Sequence, residues 1–191
     1  IPQCNYGVGF FLSDHYSISL SADHMKYVMT QNQTVKISGA IRNSNTPYDG
    51  AYVQDNIVLK EDLLIFEHTD GLNYVVVELN RSDNLLPMLT RYKGRKIAVN
   101  LTEGIGIGGL YPRTNATLLS NPRNDAFHWA GYGMSLKVGL DVTFFRHLYL
   151  AGNLKAGFIT MPDIRTTASA LDHGSQKFGF FQNNVLLGWR F

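Results

Sequence analysis

The sequence has few charged residues, a single cysteine and no long apolar run. Only 17% of its 191 residues are charged, against about 25% in a typical soluble domain. The net charge of +2 is too small to favour a nucleic-acid partner. Cys4 alone excludes an internal disulfide and a cysteine-based zinc site. No apolar run approaches the roughly 18–20 residues of a membrane-spanning helix, which excludes a helical membrane protein.

Long stretches of two-residue alternation are the main feature that the sequence does contain. Between 130 and 144 every second residue is apolar, and the residues between them are Gly, Ser, Lys, Asp or Thr. This pattern is typical of a β-strand with one apolar face. A short turn at 145–147 leads to a second alternating stretch at 148–158, and the two predict a hairpin. Both exceed the usual strand length of about 5–6 residues, and about 9–11 residues cross a bilayer.

Further strands are predicted along most of the chain. They cover 6–12, 16–23, 34–41, 51–59, 63–67, 72–79 and 97–108. Segments rich in Asn, Thr, Ser, Pro or Gly predict loops at 42–50, 111–125 and 162–176. The segment 81–96, with Pro87, predicts a long connection that holds a helical turn. The sequence therefore predicts one all-β, antiparallel domain over 1–191.

The residues on the polar strand faces favour a membrane barrel over a soluble one. A soluble barrel presents its polar face to water, where Lys and Glu are abundant. Here the polar faces carry mainly Gly, Ser, Asn and Thr, which suit a narrow and crowded interior. Aromatic residues flank the turns at 13–15 and 145–147, where the interfacial girdle of a membrane barrel lies.

The chain ends in an alternating strand with an aromatic last residue. Val185, Leu187, Trp189 and Phe191 fall on one face. This ending resembles the closing strand of Gram-negative outer-membrane β-barrels, which end in an aromatic residue, usually Phe. The resemblance implies an integral outer-membrane protein in contact with outer-membrane lipid and lipopolysaccharide. It also implies that the barrel-assembly machinery recognises this strand.

The fold that we predict is a closed antiparallel up-and-down transmembrane β-barrel of 8 or 10 strands. Pairing every strand-like segment gives ten strands. If 34–59 is instead a hairpin within a long outer loop, seven strands remain. Single-chain bacterial barrels have even strand counts, so an eight-stranded barrel then requires a further strand before Ile1. Either size closes around side chains and leaves no wide pore.

Several charged and amide residues are predicted to face the barrel interior. They are Lys137, Asp141, Asn153, Lys155 and Arg190. A network of ion pairs and hydrogen bonds is the structural interpretation, because buried polar groups need partners. A narrow path for ions or solutes is the functional alternative. Glu103 interrupts an apolar face, and we expect a β-bulge at 102–104 to turn it inward.

The segment 67–71 offers the only candidate for catalysis. Asp70 and Gly71 predict a hairpin turn that leaves His68 exposed. Alternatively, His68 is the general base of a lipid A deacylase or phospholipase at the barrel rim, with Thr69 or Ser82 as its partner and Asp70 to orient it. The sequence lacks a Gly-x-Ser-x-Gly nucleophile motif.

Two function classes therefore stay open. One is a structural or partner-binding barrel, including a component of a larger outer-membrane complex, and the other is a lipid-modifying hydrolase. The histidines show no metal-ligand spacing, so neither a metal site nor a cofactor is predicted.

Overall fold

The computed structural model describes residues 4–68, 70–90, 96–119 and 121–191 of the chain, which is almost entirely β-structure. Its elements in chain order are β1 (Asn5–Phe11), β2 (Tyr16–Asp23), β3 (Tyr27–Val28), β4 (Thr34–Ile41), β5 (Gly50–Val58), β6 (Leu64–His68), β7 (Tyr74–Asn84), α1 (Leu86–Leu89), β8 (Ile97–Leu110), β9 (Arg113–Leu118), β10 (Asn124–Phe127), β11 (Gly131–Phe144), β12 (Leu148–Arg165) and β13 (His173–Trp189). No helix in these four ranges is long and apolar enough to cross a bilayer.

Seven strands form one antiparallel sheet in the order β1-β2-β7-β8-β11-β12-β13. Each strand pairs with the next one of this set along the chain, so the sheet is an up-and-down meander. The hairpin predicted over 130–158 is confirmed, with Phe144 opposite Leu148 beside the turn. An irregularity between Met161 and Ile164 lets β12 continue past Pro162, because a bulge tolerates a residue that cannot donate to the ladder.

The connections of this sheet differ in length at its two ends. At one end, which we call the short-turn end, β1 joins β2 and β11 joins β12 through a few residues each. The connection from β7 to β8 at the same end contains α1, and the amide of Leu86 is held by Asn84 Oδ1 at 3.0 Å. At the opposite, long-connection end, the chain leaves the sheet for 24–73 and 111–130.

Two smaller sheets are built from these long connections. β4 and β5 pair only with each other, and β10, β9, β6 and β3 form a four-stranded sheet in that order. The prediction of ten barrel strands is therefore wrong, because 34–59 is a separate hairpin. The loop prediction for 111–125 is also wrong. β9 pairs with β6, which is distant in sequence, and with β10, which follows β9 along the chain.

The large sheet is strongly curled. Lys155 on β12 contacts Asp23 on β2, four positions away in the sheet, at 2.7 Å. At the sheet edges, Asn5 on β1 donates to the side chain of Asn184 on β13 at 2.9 Å. No backbone ladder joins β1 to β13 within the described residues. The all-β antiparallel prediction is confirmed, and the curled sheet is compatible with a barrel.

A small apolar core fills the long-connection end of the curl. It consists of Met25, Leu72, Tyr74, Val76, Leu110, Ala130, Ile159, Met161 and Ile164, with Phe66, Phe178 and Phe180 packed against it. These side chains come from the inner face of the large sheet and from the connections above it. The core therefore ties the four-stranded sheet to one end of the curl, while the rest of the inner face stays polar.

Candidate functional site: an apolar outer face around a charged interior

The outer face of the large sheet is apolar and exposed. Its exposed side chains include Val8, Ile18, Leu20, Val77, Leu79, Ile105, Ile107, Met134, Leu136, Val138, Leu140, Leu150, Leu154, Phe158, Val185 and Leu187. They come from all seven strands and follow the two-residue alternation. In a soluble protein these side chains would lie inside. The sheet is therefore inverted, with its apolar face exposed.

Exposed aromatic residues lie at both ends of this apolar face. Phe10, Tyr16, Phe145 and Trp189 are exposed at the short-turn end, and Tyr6, Phe127, Trp129 and Tyr132 at the long-connection end. Trp189 stacks on His147 with ring centroids 5.4 Å apart, which ties the end of β13 to the neighbouring turn. Tyr and Trp at two levels flanking an apolar band are typical of a membrane barrel.

The terminal residues named by the sequence pattern all lie on the outer face. Val185, Leu187 and Trp189 are 80%, 75% and 57% exposed, and Phe191 is fully exposed. Asn184, just before this set, points inward and donates a hydrogen bond to Asn153 Oδ1 at 3.2 Å. The apolar side of β13 is thus free for contact with lipid or another protein.

The interior of the curl is crowded, which explains the small residues on the polar faces. A Cβ atom on Gly104 would lie 2.5 Å from Asn80 Oδ1, and one on Gly106 would lie 2.8 Å from Ser135 Oγ. Real Cβ atoms essentially never approach so closely. Both contacts are with register partners on the neighbouring strands β7 and β11, so glycine at these positions leaves room for the inward side chains of adjacent strands.

Two lysines and two carboxylates form an ion cluster inside the curl. Lys155 contacts Asp23 and Glu78, each at 2.7 Å, and Lys137 contacts Glu78 at 2.6 Å. The two lysines are register partners on β11 and β12, and Glu78 comes from β7, two positions from β11 in the sheet. All four side chains are at most 15% exposed. The cluster therefore fastens β2 and β7 to β11 and β12 across the interior.

Asp141 organises a second polar group near the short-turn end. Its carboxylate accepts hydrogen bonds from the side chains of Asn100, Thr102 and Thr143 at 2.8–3.3 Å. Arg190 contacts the same carboxylate at 3.2 Å. Together the two groups hold three acidic and three basic side chains, so their formal charges balance.

The structure places the five residues predicted for the interior inside the curl, where they belong to three separate groups. Lys137 and Lys155 belong to the ion cluster, Asp141 and Arg190 to the second group, and Asn153 to an amide chain with Asn184 and Asn5. Sequence reasoning missed Asp23 and Glu78, the counter-charges of both lysines. The available signal was their place on the polar faces of β2 and β7.

The predicted bulge that turns Glu103 inward is wrong. β8 pairs with β7 and β11 without a register shift, so Glu103 stays on the exposed outer face. Its register partner on β7 is Arg81, whose guanidinium contacts the Asp83 carboxylate at 2.8 Å. An opposite charge on the neighbouring strand is favourable for Glu103 at this position.

His68 lies in the four-stranded sheet and is buried. The prediction that it is exposed at a hairpin tip is wrong, because β6 pairs with β3 and β9 and not with β7. Its side chain is 1% exposed. Nδ1 contacts Thr114 Oγ1 at 3.0 Å, and Tyr27 and Phe66 pack beside the ring with centroids 5.4 and 5.5 Å away.

The surroundings of His68 keep its imidazole neutral. Burial lowers the pKa of His68 from 6.5 to about 4. Asp70 does not contact the ring, because its carboxylate pairs with Arg113. Thr69 lies outside the described residues. The structure places Thr114, which sequence reasoning missed, at the imidazole, where Asp70 was predicted.

The comparisons with known proteins assign no family to this chain. The sequence matches no protein-family model. No curated protein and no solved structure is significantly similar to it. The inverted sheet, its ends and its interior are therefore the observations from which a function can be inferred.

Proposed function

We propose that this chain is an integral protein of a Gram-negative outer membrane, with the large sheet forming most of a closed, eight-stranded, up-and-down barrel. The observation that carries the proposal is the inversion of the sheet, with apolar side chains exposed and charged ones inside. Soluble monomers rarely expose contiguous apolar patches above a few hundred Å². A lipid environment stabilises this arrangement, since outer-membrane barrels alternate apolar residues outward and polar residues inward.

The ends of the sheet support the same proposal and give it an orientation. Aromatic residues flank the apolar face at both levels, and the connections are short at one end and long at the other. Outer-membrane barrels have short turns on the periplasmic side and longer loops outside. The short-turn end, with Phe191, then faces the periplasm, and the two smaller sheets face the cell exterior.

The role that we propose is structural or partner-binding. The filled interior argues against transport, because ion pairs join β2 and β7 to β11 and β12 across it. The long-connection end instead presents a four-stranded sheet and the separate β4–β5 hairpin. Expected partners are lipopolysaccharide and lipid around the outer face, the barrel-assembly machinery at β13, and a larger outer-membrane complex at the exterior sheets.

A lipid hydrolase centred on His68 is the second candidate. The contact of 3.0 Å between His68 Nδ1 and Thr114 Oγ1 favours it, because a hydroxyl beside an imidazole is the basic unit of nucleophilic catalysis. Both side chains are at most 2% exposed, however. An acyl substrate would reach them only after β6 and β9 separate, so the binding role has the stronger support.

Membrane fractionation tests the proposed location. The protein should stay in the outer-membrane pellet after carbonate washing, and the unheated sample should migrate faster than the boiled one in a detergent gel. A periplasmic protein from the same cells serves as the control that carbonate releases. Recovery as a detergent-free soluble monomer would contradict the proposal.

Lipid analysis of the same membranes separates the two roles. We expect cells with wild-type protein, with His68→Ala and without the protein to share one lipid A acylation pattern and one phospholipid composition by mass spectrometry. A lipid species lost in both the variant and the null strain would favour the hydrolase instead.

A further inference from the structure

The two edge strands of the large sheet, β1 and β13, face each other across an open seam. Asn5 on β1 reaches Asn184 on β13, and the guanidinium of Arg190 lies 5.6 Å from the ring centre of Phe11. These contacts are made by side chains, and no backbone ladder spans the seam within the described residues. Both edges therefore present unpaired backbone groups, which are costly in a membrane.

The two contacts also fix the relative direction of the edge strands. Asn5 and Phe11 are six residues apart on β1, and their partners Asn184 and Arg190 are six residues apart in the same order along the end of the chain. β1 and β13 therefore run parallel, as expected for the first and last strands of a seven-stranded antiparallel meander. A single intervening strand can be antiparallel to both.

The contact between Asn5 and Asn184 is compatible with one intervening strand. Neighbouring strands lie about 4.8 Å apart, so one inserted strand separates β1 from β13 by about 10 Å. Two asparagine side chains joined end to end by a hydrogen bond span such a distance. A cleft of about 720 Å³ opens beside these edges and is lined by Cys4 and Asn5, by 180–186, and by 24–27, Leu72 and Phe178 from the interior. In it, Gln182 Oε1 is buried without a hydrogen-bond partner.

We propose that an eighth strand, formed by polypeptide that precedes Ile1 in the encoded protein, fills this seam antiparallel to β1 and β13. This inference rests on the proposed membrane location. β1 begins at the long-connection end, so a strand that rises from the short-turn end delivers the chain to Cys4 through a short connection. Both chain ends then lie on the periplasmic side.

A second copy of this chain does not fit the seam. All copies in one membrane share one orientation, so the edges that a second copy offers run parallel to β1 and β13. The inserted strand must run the opposite way. Polypeptide joined to β1 at the long-connection end has that direction by connectivity alone.

Disulfide trapping in the full-length protein tests this inference in a Cys4→Ser background. Direct parallel pairing of β1 with β13 in the register above would place Val8 beside Leu187, and cysteines at both positions would then form a disulfide. With a strand between them we expect Val8→Cys/Leu187→Cys to stay reduced. Leu20→Cys/Val77→Cys, register partners on the same outer face, is the control pair that should oxidise.

Single cysteines in the preceding segment provide the positive result. Placed at its outward positions, they should form disulfides with Val8→Cys in one series and with Leu187→Cys in another. Mass spectrometry of the mature protein should find at least about 9 residues before Ile1. A chain that starts at Ile1 behind the same signal peptide should give about tenfold less inserted protein, because its edges stay unpaired.

Three outcomes would overturn the inference while leaving the membrane location intact. They are rapid oxidation of the Val8/Leu187 pair, a mature protein that begins at Ile1 in the carbonate-resistant pellet, and trapping of a strand from another protein at the seam. Absence of the protein from that pellet would instead overturn the membrane location, and this inference with it.

Discussion

At the scale of single residues, Lys155 shows why the interior depends on matched charges. Its ammonium group is 4% exposed and contacts two carboxylates at 2.7 Å. Removing one member of a buried ion group leaves the others without compensation, which typically costs about 3–5 kcal/mol. A substitution of Lys155 on β12 therefore also affects the stability of β2 and β7, because Asp23 and Glu78 belong to those strands.

We predict that Lys155→Met destabilises the folded protein by about 3–5 kcal/mol, because Asp23 and Glu78 lose a shared partner. Urea titration of protein in lipid vesicles, followed by gel mobility, measures the change. Lys177→Met, at an exposed position on the neighbouring strand β13, is the matched control. Equal unfolding midpoints for the two variants would show that the cluster adds little.

His68 gives the long-connection end a predicted pH dependence. Its pKa is about 4 in the folded protein and 6.5 in the unfolded chain. Between these values the unfolded chain binds a proton that the folded state excludes, so stability rises with pH. As the pH falls from 6.5 to 4, the four-stranded sheet should lose of the order of 3 kcal/mol of local stability.

Amide hydrogen exchange of β6 and β9 at several pH values, corrected for the intrinsic rate, measures this loss. His68→Gln should exchange at a rate that no longer depends on protonation of this side chain, since glutamine does not titrate here. His147→Gln, at an exposed turn, should keep the wild-type profile. An unchanged profile in His68→Gln would rule out His68 as the cause.

At the scale of elements, the two-residue alternation predicted where strands lie but not which strands pair with each other. β2 and β4 have the bounds that the sequence pattern gives. β2 places one side chain on each face in turn, and β4 does so as far as the irregularity between Ile37 and Gly39. β9 escaped the pattern because Thr114 and Asn115 are polar yet buried, which depends on β6 from elsewhere in the chain. For the same reason the burial of His68 was not predictable, since the segment that covers it is distant in sequence.

The last strand carries a prediction of its own. Deleting Phe191 should lower the amount of inserted protein several-fold while synthesis stays normal, because the terminal aromatic resembles the assembly signal of outer-membrane barrels. Quantitative immunoblots of the outer-membrane pellet and of total cell protein measure the two quantities. Phe181→Ala, on the same face of β13, is the control and should insert normally. Equal insertion of the deletion variant would make the resemblance accidental.

At the scale of the whole molecule, the uneven connections define a direction through the membrane. The short-turn end carries Asp14 and Arg146 at exposed turns, and the opposite end carries Arg42 and Leu171. In the proposed orientation the first pair faces the periplasm and the second pair the exterior, because long loops of outer-membrane barrels lie outside. Labelling of single cysteines at these four positions, in a Cys4→Ser background, measures this orientation directly.

We predict that Arg42→Cys and Leu171→Cys react on whole cells with a membrane-impermeant maleimide. Asp14→Cys and Arg146→Cys should react only after the outer membrane is permeabilised, because the reagent does not cross an intact bilayer. Gel-shift of the purified protein measures the labelled fraction, and Cys4→Ser alone gives the background. The reverse pattern would invert the topology and move the four-stranded sheet, with His68, to the periplasmic side. The exterior would then present only the short turns, and the proposed partner-binding surface would face the periplasm.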